Sequence, residues 1–412
     1  MRELMVTPLL LGGGRGDFMN DVQRFQSEHL FLLVGTNPSP NYVAAKLLRK
    51  PDGHVCLVHT DETTEIADRL IAALELGLDN ATKIPVKEAE GDDIFVQVTK
   101  YADNKQGIGL NYTGGTKTMA VHAYRAIEQN CPEAVFSYLD ARTLSLFIEP
   151  RHSSARKILV DRAYEVRLSE LLALHGYRLP TVRQTPIQPD ICKALARIHS
   201  DSAAFEQWRK WTGQQTLQDL PDSVQYPLLQ DVVVAFHHLG NGDATPEVIA
   251  QALDPASKWT SLEQCRKWFL GDWLEEYTLW ACIEAKSKDP NLYGDFGINL
   301  EPKGPKKRAF QFDVAVMRGY QLFAISCIAS DKKDKCKEHL FEAYVRARQM
   351  GGDEARIGLV CCAPKDNPDN NPSMIQSEIE ETWDAKDKVR VFGAEHLPDL
   401  PAYLQDWFNS QS

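Results

Sequence analysis

Short apolar runs alternate with helical segments between residues 29 and 150. The apolar runs predict strands near residues 30–34, 54–59, 107–112, 134–139 and 144–148. Between them, apolar residues recur at helical spacing around residues 64–76 and 116–128. Such alternation of strand, loop and helix is typical of an α/β, Rossmann-like sheet. We therefore predict a Rossmann-like domain over residues 29–150, preceded by an N-terminal extension over residues 1–28.

The pattern changes after this first domain. Helical periodicity dominates residues 151–259, which we predict to be a helical connector region. A second α/β domain is predicted over residues 260–412. Its elements are a helix at 268–285, strands at 311–317 and 322–328, a helix at 335–350 and a strand at 356–361. The expected fold class is therefore α/β, with two sheet domains joined by helices.

Composition is that of an ordinary folded protein. Of the 412 residues, 43% are hydrophobic and 25% are charged, which excludes wholesale disorder. Nine scattered cysteines without a CxxC pair argue against a zinc site or a disulfide framework. No apolar stretch has the length of a membrane span, so we expect a cytoplasmic protein with no membrane partner. The net charge of −11 means that any anionic partner must be held locally.

One loop has the composition of an anion site. The segment Asn-Tyr-Thr-Gly-Gly-Thr-Lys-Thr-Met at residues 111–119 joins a predicted strand to a predicted helix. Its glycines permit close backbone approach, its threonines donate hydrogen bonds, and Lys117 supplies a positive charge. The simpler interpretation is a turn that caps its own helix. A P-loop is disfavoured because Thr116 separates Gly115 from Lys117.

This segment, together with Val-Gly-Thr-Asn-Pro-Ser-Pro at residues 34–40, resembles the ligand-binding motifs of CARF domains, the sensors of type III CRISPR defence. The resemblance covers residues 29–150. It implies a homodimer that binds one cyclic oligoadenylate, most often the tetra-adenylate, across its two-fold axis. The ligand-binding residues that it implies are Gly35, Thr36, Asn37, Pro38, Ser39, Thr113, Gly114, Gly115, Thr116 and Lys117.

A basic stretch lies in the second α/β domain. Residues 301–350 contain eleven Lys and Arg against six Asp and Glu. A local excess of positive charge suits a polyanion such as DNA or RNA, although lysine-rich loops are often only solvated. Nucleic acid is therefore the expected second partner.

The order of elements in this domain resembles the PD-(D/E)xK restriction-endonuclease-like fold found in CARF-fused nucleases. Leu274-Glu275 on the first helix and Asp313 on the first hairpin strand match that pattern. The resemblance implies that Glu275 and Asp313 are catalytic and that Asp313 binds Mg²⁺ or Mn²⁺. The pattern breaks at Ser326 and Ile328, where a Glu and a Lys are expected.

Two departures from the motif place hydrolysis in doubt, since a serine is a weak ligand and an isoleucine carries no charge. Replacement groups are available nearby in the sequence: Lys332, Lys333, Lys335, Glu338 and Glu342. We expect a cyclic-oligoadenylate sensor that allosterically controls a metal-dependent, nuclease-like domain acting on DNA or RNA. The first alternative is a sensor whose dead nuclease fold only binds nucleic acid or a protein partner. The others are a ring nuclease that degrades the cyclic oligoadenylate in the CARF domain, and a nucleotide-binding regulator unrelated to defence.

Overall fold

The computed structural model describes residues 22–410, except residues 141–142, 151–153, 161–163, 241, 243, 305–309 and 368–370. Most of the predicted extension over residues 1–28 therefore lies outside the described residues. Two β-sheets organise the chain, one of seven strands and one of five. The predicted α/β class with two sheet domains is confirmed. No helix in the described ranges is long and apolar enough to cross a membrane.

The first sheet is a doubly wound sheet with an antiparallel edge. Its strands are β1 (Ser27–Leu33), β2 (Arg49–His59), β3 (Ala81–Pro85), β4 (Ile108–Asn111), β5 (Val135–Asp140), β6 (Ser145–Pro150) and β7 (Arg156–Leu159). They are ordered β3-β2-β1-β4-β5-β6-β7, and the first five run parallel. Helices α1 (Ser39–Leu48), α2 (Thr64–Ala73), α3 (Gly91–Ala102) and α4 (Lys117–Asn130) form the crossovers.

Four further helices and a short α5 (Leu168–Leu174) connect the sheets. They are α6 (Pro189–Ser200), α7 (Ser202–Thr212), α8 (Gln230–Leu239) and α9 (Pro246–Leu253). Side chains cap two of them: Asp201 accepts from the backbone of Ala204, and Thr245 accepts from that of Val248. A π-helical turn (Trp268–Asp272) leads into α10 (Trp273–Lys288).

The second sheet mixes antiparallel and parallel strands. Its strands are β8 (Asp295–Leu300), β9 (Phe312–Arg318), β10 (Gln321–Ile328), β11 (Arg356–Cys361) and β12 (Val389–Phe392), in the order β12-β11-β10-β9-β8. The β8, β9 and β10 strands are antiparallel, and the β10, β11 and β12 strands are parallel. Its remaining helices are α11 (Lys333–Gly351), α12 (Pro372–Trp383) and α13 (Leu400–Asn409).

One hydrophobic cluster runs through both sheets. It joins one face of the first sheet, covered by α1, α2 and α5, to the face of the second sheet covered by α11 and α12. The opposite face of the first sheet packs on α3 and α4. The opposite face of the second sheet packs on α10, α13 and the connecting helices. The two sheets are therefore held by a shared core rather than by a flexible linker.

The first sheet is wider than the predicted limits of residues 29–150. Strand β1 begins at Ser27, inside the predicted extension, and β7 lies within residues 151–259, the predicted helical connector. Strand β7 has only four residues, with a single buried side chain, so its sequence carries no apolar run.

Candidate functional site

The two loops singled out in the sequence meet at the carboxyl ends of β1 and β4, where the order of strands in the first sheet reverses direction. Strands β1 and β4 are parallel neighbours, with Leu32 opposite Asn111. Helix α1 leaves β1 toward one face of the sheet and α4 leaves β4 toward the other. Ligands of open α/β sheets bind at such a switch point, outside the carboxyl ends of the strands.

The two loops are in direct contact, and glycines make the contact possible. A Cβ atom at Gly35 would lie 2.9 Å from the backbone nitrogen of Gly115. A Cβ atom at Gly114 would clash with the carbonyl oxygen of Leu33. Gly115 itself has a φ of +73°, in the left-handed region. The structure thus brings together the predicted segments 35–39 and 113–117 in one surface.

Threonine hydroxyls fix the second loop. The Thr113 hydroxyl oxygen accepts a hydrogen bond from the backbone of Leu139 at 2.7 Å. The Thr116 oxygen accepts from the backbone of Met119 at 3.2 Å, so Thr116 is the N-cap of α4. The simpler interpretation of this segment as a self-capping turn therefore holds for Thr116. Each hydroxyl still has its own proton to donate to a ligand oxygen.

Lys117 begins α4 and is exposed. Within the part of the chain that the structure describes, its ammonium group makes no ion pair. A positive side chain at a helix N-terminus is unfavourable beside the helix dipole unless an anion is also bound there. This position is therefore suited to a phosphate group.

The first loop contains polar atoms without a partner among the described residues. The Asn37 side-chain oxygen accepts from the backbone of Ser39 at 3.1 Å. The Ser39 hydroxyl is buried and makes no hydrogen bond. Sequence reasoning missed Asn41, which is fully buried, donates to the Leu33 carbonyl at 3.0 Å and leaves its side-chain oxygen unpaired beside Gly114. A polar residue on an otherwise apolar helix face was the signal.

The predicted catalytic residue Asp313 lies in a small cavity of the second sheet. The cavity has a volume of about 140 Å³, and its polar side chains are Gln311, Asp313, Ser326, His339 and Glu342. One Asp313 carboxylate oxygen accepts from the Ser326 hydroxyl at 3.0 Å and from the backbone of Cys327 at 2.8 Å. Burial raises the pKa of Asp313, while these hydrogen bonds oppose the shift.

Glu275 reaches the same region from α10, on the other face of the sheet. Burial, and then the negative charge of Asp313, raise the pKa of Glu275 to about 8. The adjacent Glu276 has a different role. Its buried carboxylate forms an ion pair with the Arg183 guanidinium and accepts a hydrogen bond from the backbone of Ile187 at 2.8 Å. The structure thus brings Glu275 and Asp313 close enough for their charges to interact, while Glu276 is paired with Arg183.

The replacement residues considered from sequence are not equivalent. Glu342 lines the cavity of Asp313 and Glu338 does not. Lys333 and Lys337 both form ion pairs with Glu378 of α12. Lys332 and Lys335 are exposed. Ile328 packs against the shared hydrophobic cluster. His339, which sequence reasoning missed, lies 3.5 Å from the Ser326 hydroxyl through its Nδ1 atom.

The residues around Asp313 do not fit a divalent cation as they are arranged. No group of three or more His, Cys, Asp or Glu side chains is placed to hold a metal ion within the described ranges. One Asp313 oxygen is already engaged by the Ser326 hydroxyl and the backbone N–H of Cys327.

Much of the basic stretch is balanced internally. Lys306, Lys307 and Arg308 lie outside the described residues. Arg348 pairs with Asp353, and Arg318 is buried and donates to the Phe408 carbonyl at 2.7 Å. With Lys333 and Lys337 engaged by Glu378, the excess of charge is a weaker sign of a nucleic-acid surface than the sequence indicates.

Comparison with solved structures gives whole-chain matches. VC1899 from Vibrio cholerae is 17% identical, with a TM-score of 0.68 over 93% of this chain and 99% of that one. Can2 from Sulfobacillus thermosulfidooxidans, solved with cyclic tetra-adenylate, is 16% identical, with a TM-score of 0.68 over 95% and 99%. The chain has the fold of these two proteins. The sequence matches no protein-family model and no curated protein.

Proposed function

We propose that this protein is a cyclic-oligoadenylate-sensing effector of type III CRISPR defence. The observation that carries the proposal is the pair of touching loops at the β1–β4 switch point, with exposed Lys117 at the start of α4. Backbone N–H groups, threonine hydroxyls and one ammonium group are the donors that phosphodiesters require. The likeness to Can2, which binds cyclic tetra-adenylate, supports this choice of ligand.

The ligand site is completed in a homodimer. A cyclic tetra-adenylate has repeating phosphodiesters, so a two-fold axis through the ring presents the same loops to it twice. Two Lys117 side chains would then face one ring and offset the acidic net charge of each chain.

A thermal-shift screen tests this proposal. At a concentration about 100-fold above its Kd, a ligand that binds only the folded state adds about 2.7 kcal/mol to the free energy of unfolding. We expect cyclic tetra-adenylate to raise Tm by a few degrees, and linear tetra-adenylate to raise it much less. Equal shifts with both compounds, or none with any cyclic oligoadenylate, would contradict the proposal.

For the C-terminal cavity, binding without hydrolysis is the function that the side chains support best. The Ser326 hydroxyl donates a hydrogen bond to an Asp313 oxygen, and Lys333 forms an ion pair with Glu378. Ile328 is apolar and packs in the shared hydrophobic cluster. The basic residues that remain exposed, Lys332 and Lys335 among them, favour a nucleic acid as the partner.

Metal-dependent cleavage is the second candidate for this cavity, because two carboxylates, those of Asp313 and Glu342, line it, and the charge of Asp313 also acts on Glu275. Incubation of the ligand-bound protein with single- and double-stranded DNA and RNA, with Mg²⁺ or Mn²⁺, separates the two. Binding without turnover supports the first candidate. Cleavage that is lost in Asp313→Ala supports the second.

A further inference from the structure

The loop proposed to bind the cyclic oligoadenylate also touches the second sheet domain. Asn37, in that loop, places its amide nitrogen against the backbone of Gly352 so closely that a Cβ atom at Gly352 would clash with it. The Glu354 carboxylate lies at the same point, with Oε2 2.9 Å from that Cβ position. Residues of two different domains therefore meet at one spot beside the ligand loop.

The contacted segment is a 3₁₀ turn, Gly352–Glu354, which requires its glycine. Gly352 has φ +71° and ψ −153°, a backbone conformation that only glycine adopts readily. Glu354 is buried, and its Oε1 atom has no hydrogen-bond partner among the described residues. Burial raises the pKa of Glu354 to about 7. The buried side chain of Gln321 donates to the Glu354 carbonyl at 2.8 Å.

This turn joins α11, which lines the C-terminal cavity, to β11, the neighbour of a strand that lines it. It follows α11, which carries His339 and Glu342, and it precedes β11. Strand β11 pairs with β10, and Leu359 lies opposite Ser326. A displacement of the turn would therefore be carried along a rigid 19-residue helix and a paired strand to the cavity walls.

A second contact reaches the same end of α11 from the first domain. Arg69 of α2 donates to the Leu174 carbonyl at 2.8 Å, and the adjacent His175 hydrogen-bonds the backbone of Met350. Burial lowers the pKa of His175 to about 4, so this imidazole is neutral. The end of α11 is thus contacted by Asn37 of the first domain and by His175 of the connecting segment, which Arg69 of the first domain holds in turn.

We propose that the Gly352–Glu354 turn is the coupling contact through which occupancy of the loop at residues 35–39 repositions α11 and the side chains His339 and Glu342. The inference rests on the proposed function, since it needs a ligand on that loop. The ligand must favour one position of Asn37 over another for the contact to transmit anything. By linkage, a change at the turn must also alter ligand affinity.

Hydrogen–deuterium exchange of the full chain, with and without saturating cyclic tetra-adenylate, tests the coupling. We expect the ligand to change deuterium uptake in α11 of the wild type. This change should be lost in Gly352→Ala, where the new Cβ displaces Asn37, and reduced in Glu354→Gln, which keeps the size of the side chain. Gly77→Ala is the matched control, because a Cβ there meets nothing within 4 Å, and it should respond as the wild type does.

The outcomes separate the coupling from the sensing. Calorimetry on the same samples reports ligand binding, and its absence in the wild type would overturn the proposed function and the coupling with it. Binding without any change in α11, or an unchanged response in Glu354→Gln and Gly352→Ala, would overturn the coupling alone. If Gly352→Ala does not fold, the Glu354→Gln comparison still decides.

Discussion

Neighbouring glutamates on α10 have opposite environments. Glu276 is held by Arg183 and by the backbone of Ile187. Glu275 is half-buried, and its carboxylate feels the negative charge of Asp313 more strongly than the positive charge of Lys267. Partial burial, and then the negative charge of Asp313, favour the protonated form of Glu275, which accounts for its pKa of about 8. Position on the helix therefore separates a carboxylate that is paired with an arginine from one that interacts with the charge of Asp313.

We expect Glu275→Gln to change how stability depends on pH. The raised pKa means that the contribution of the Glu275 proton to stability is complete below the unfolded pKa of 4.5 and is lost as pH rises through about 8. The glutamine variant never ionises, so at pH 9 it should be about 1–3 kcal/mol more stable than the wild type, with a much smaller gain at pH 5. Urea unfolding at pH 5 and pH 9, with a metal chelator in the buffer, measures this difference in the free energy of unfolding.

The adjacent Glu276→Gln variant is the control. It removes the partner of the Arg183 guanidinium and should lower the free energy of unfolding by about 3 kcal/mol at both pH values. If the free energies of unfolding of the wild type and Glu275→Gln change with pH in parallel, the raised pKa assigned to Glu275 is contradicted.

At the scale of elements, the N-terminus of α4 combines a structural residue with a charged one. Thr116 caps the helix through its hydrogen bond from Met119, and Lys117 projects from the first turn without an ion pair in the described ranges. The two roles are separable because adjacent residues point in different directions around a helix.

We expect Thr116→Ala to lower the free energy of unfolding by about 1 kcal/mol, the usual value of an N-cap. Lys117→Ala should leave stability unchanged or slightly higher, since it removes a positive charge from the positive end of the helix dipole. Thermal and urea unfolding of both variants provide the measurement. Equal destabilisation by the two substitutions would mean that Lys117 serves the fold instead of a ligand.

A second element-scale prediction concerns the contact between the loops. In Gly35→Ala the new Cβ would lie 2.9 Å from the backbone nitrogen of Gly115, closer than Cβ atoms approach backbone atoms in folded proteins. We expect the loops to separate and cyclic tetra-adenylate affinity to fall at least about tenfold, or 1.4 kcal/mol. Gly77→Ala, in open space, should bind as the wild type does in the same titration.

Sequence patterns predicted the interior of both sheets and missed their edges. Every predicted strand has a neighbouring strand on each side. The four strands that were not predicted are the edge strands of the two sheets: β3, β7, β8 and β12. An interior strand is buried on both faces and reads as an apolar run. An edge strand such as Ala81–Pro85 is short and mostly half-exposed, so its sequence has no such run.

The candidate sites were predictable where they are local in sequence. The loops at residues 35–39 and 113–117 each follow an apolar strand, so their position at the sheet edge follows from the α/β pattern. His339 near Ser326, the burial of Asn41 and the contact of Asn37 with Gly352 depend on tertiary packing, which no local pattern encodes.

At the scale of the whole molecule, one core joins the two sheet domains. The shared cluster includes Leu32 of the first sheet and Leu359 of the second, so motion between the domains must repack buried side chains. Such packed interfaces favour discrete arrangements over continuous deformation. A ligand bound at the first sheet can therefore favour one discrete arrangement of the second sheet domain.

The central claim is that this chain binds a cyclic oligoadenylate at the β1–β4 switch point. Titration calorimetry of cyclic tetra-adenylate into the wild type, Lys117→Ala and Lys100→Ala tests it most directly. Lys100 is an exposed lysine in the last turn of α3, at the opposite edge of the sheet. We predict one ring bound per two chains, affinity weakened at least about tenfold in Lys117→Ala and unchanged in Lys100→Ala. No binding by the wild type, or equal affinity in all three proteins, would contradict the claim.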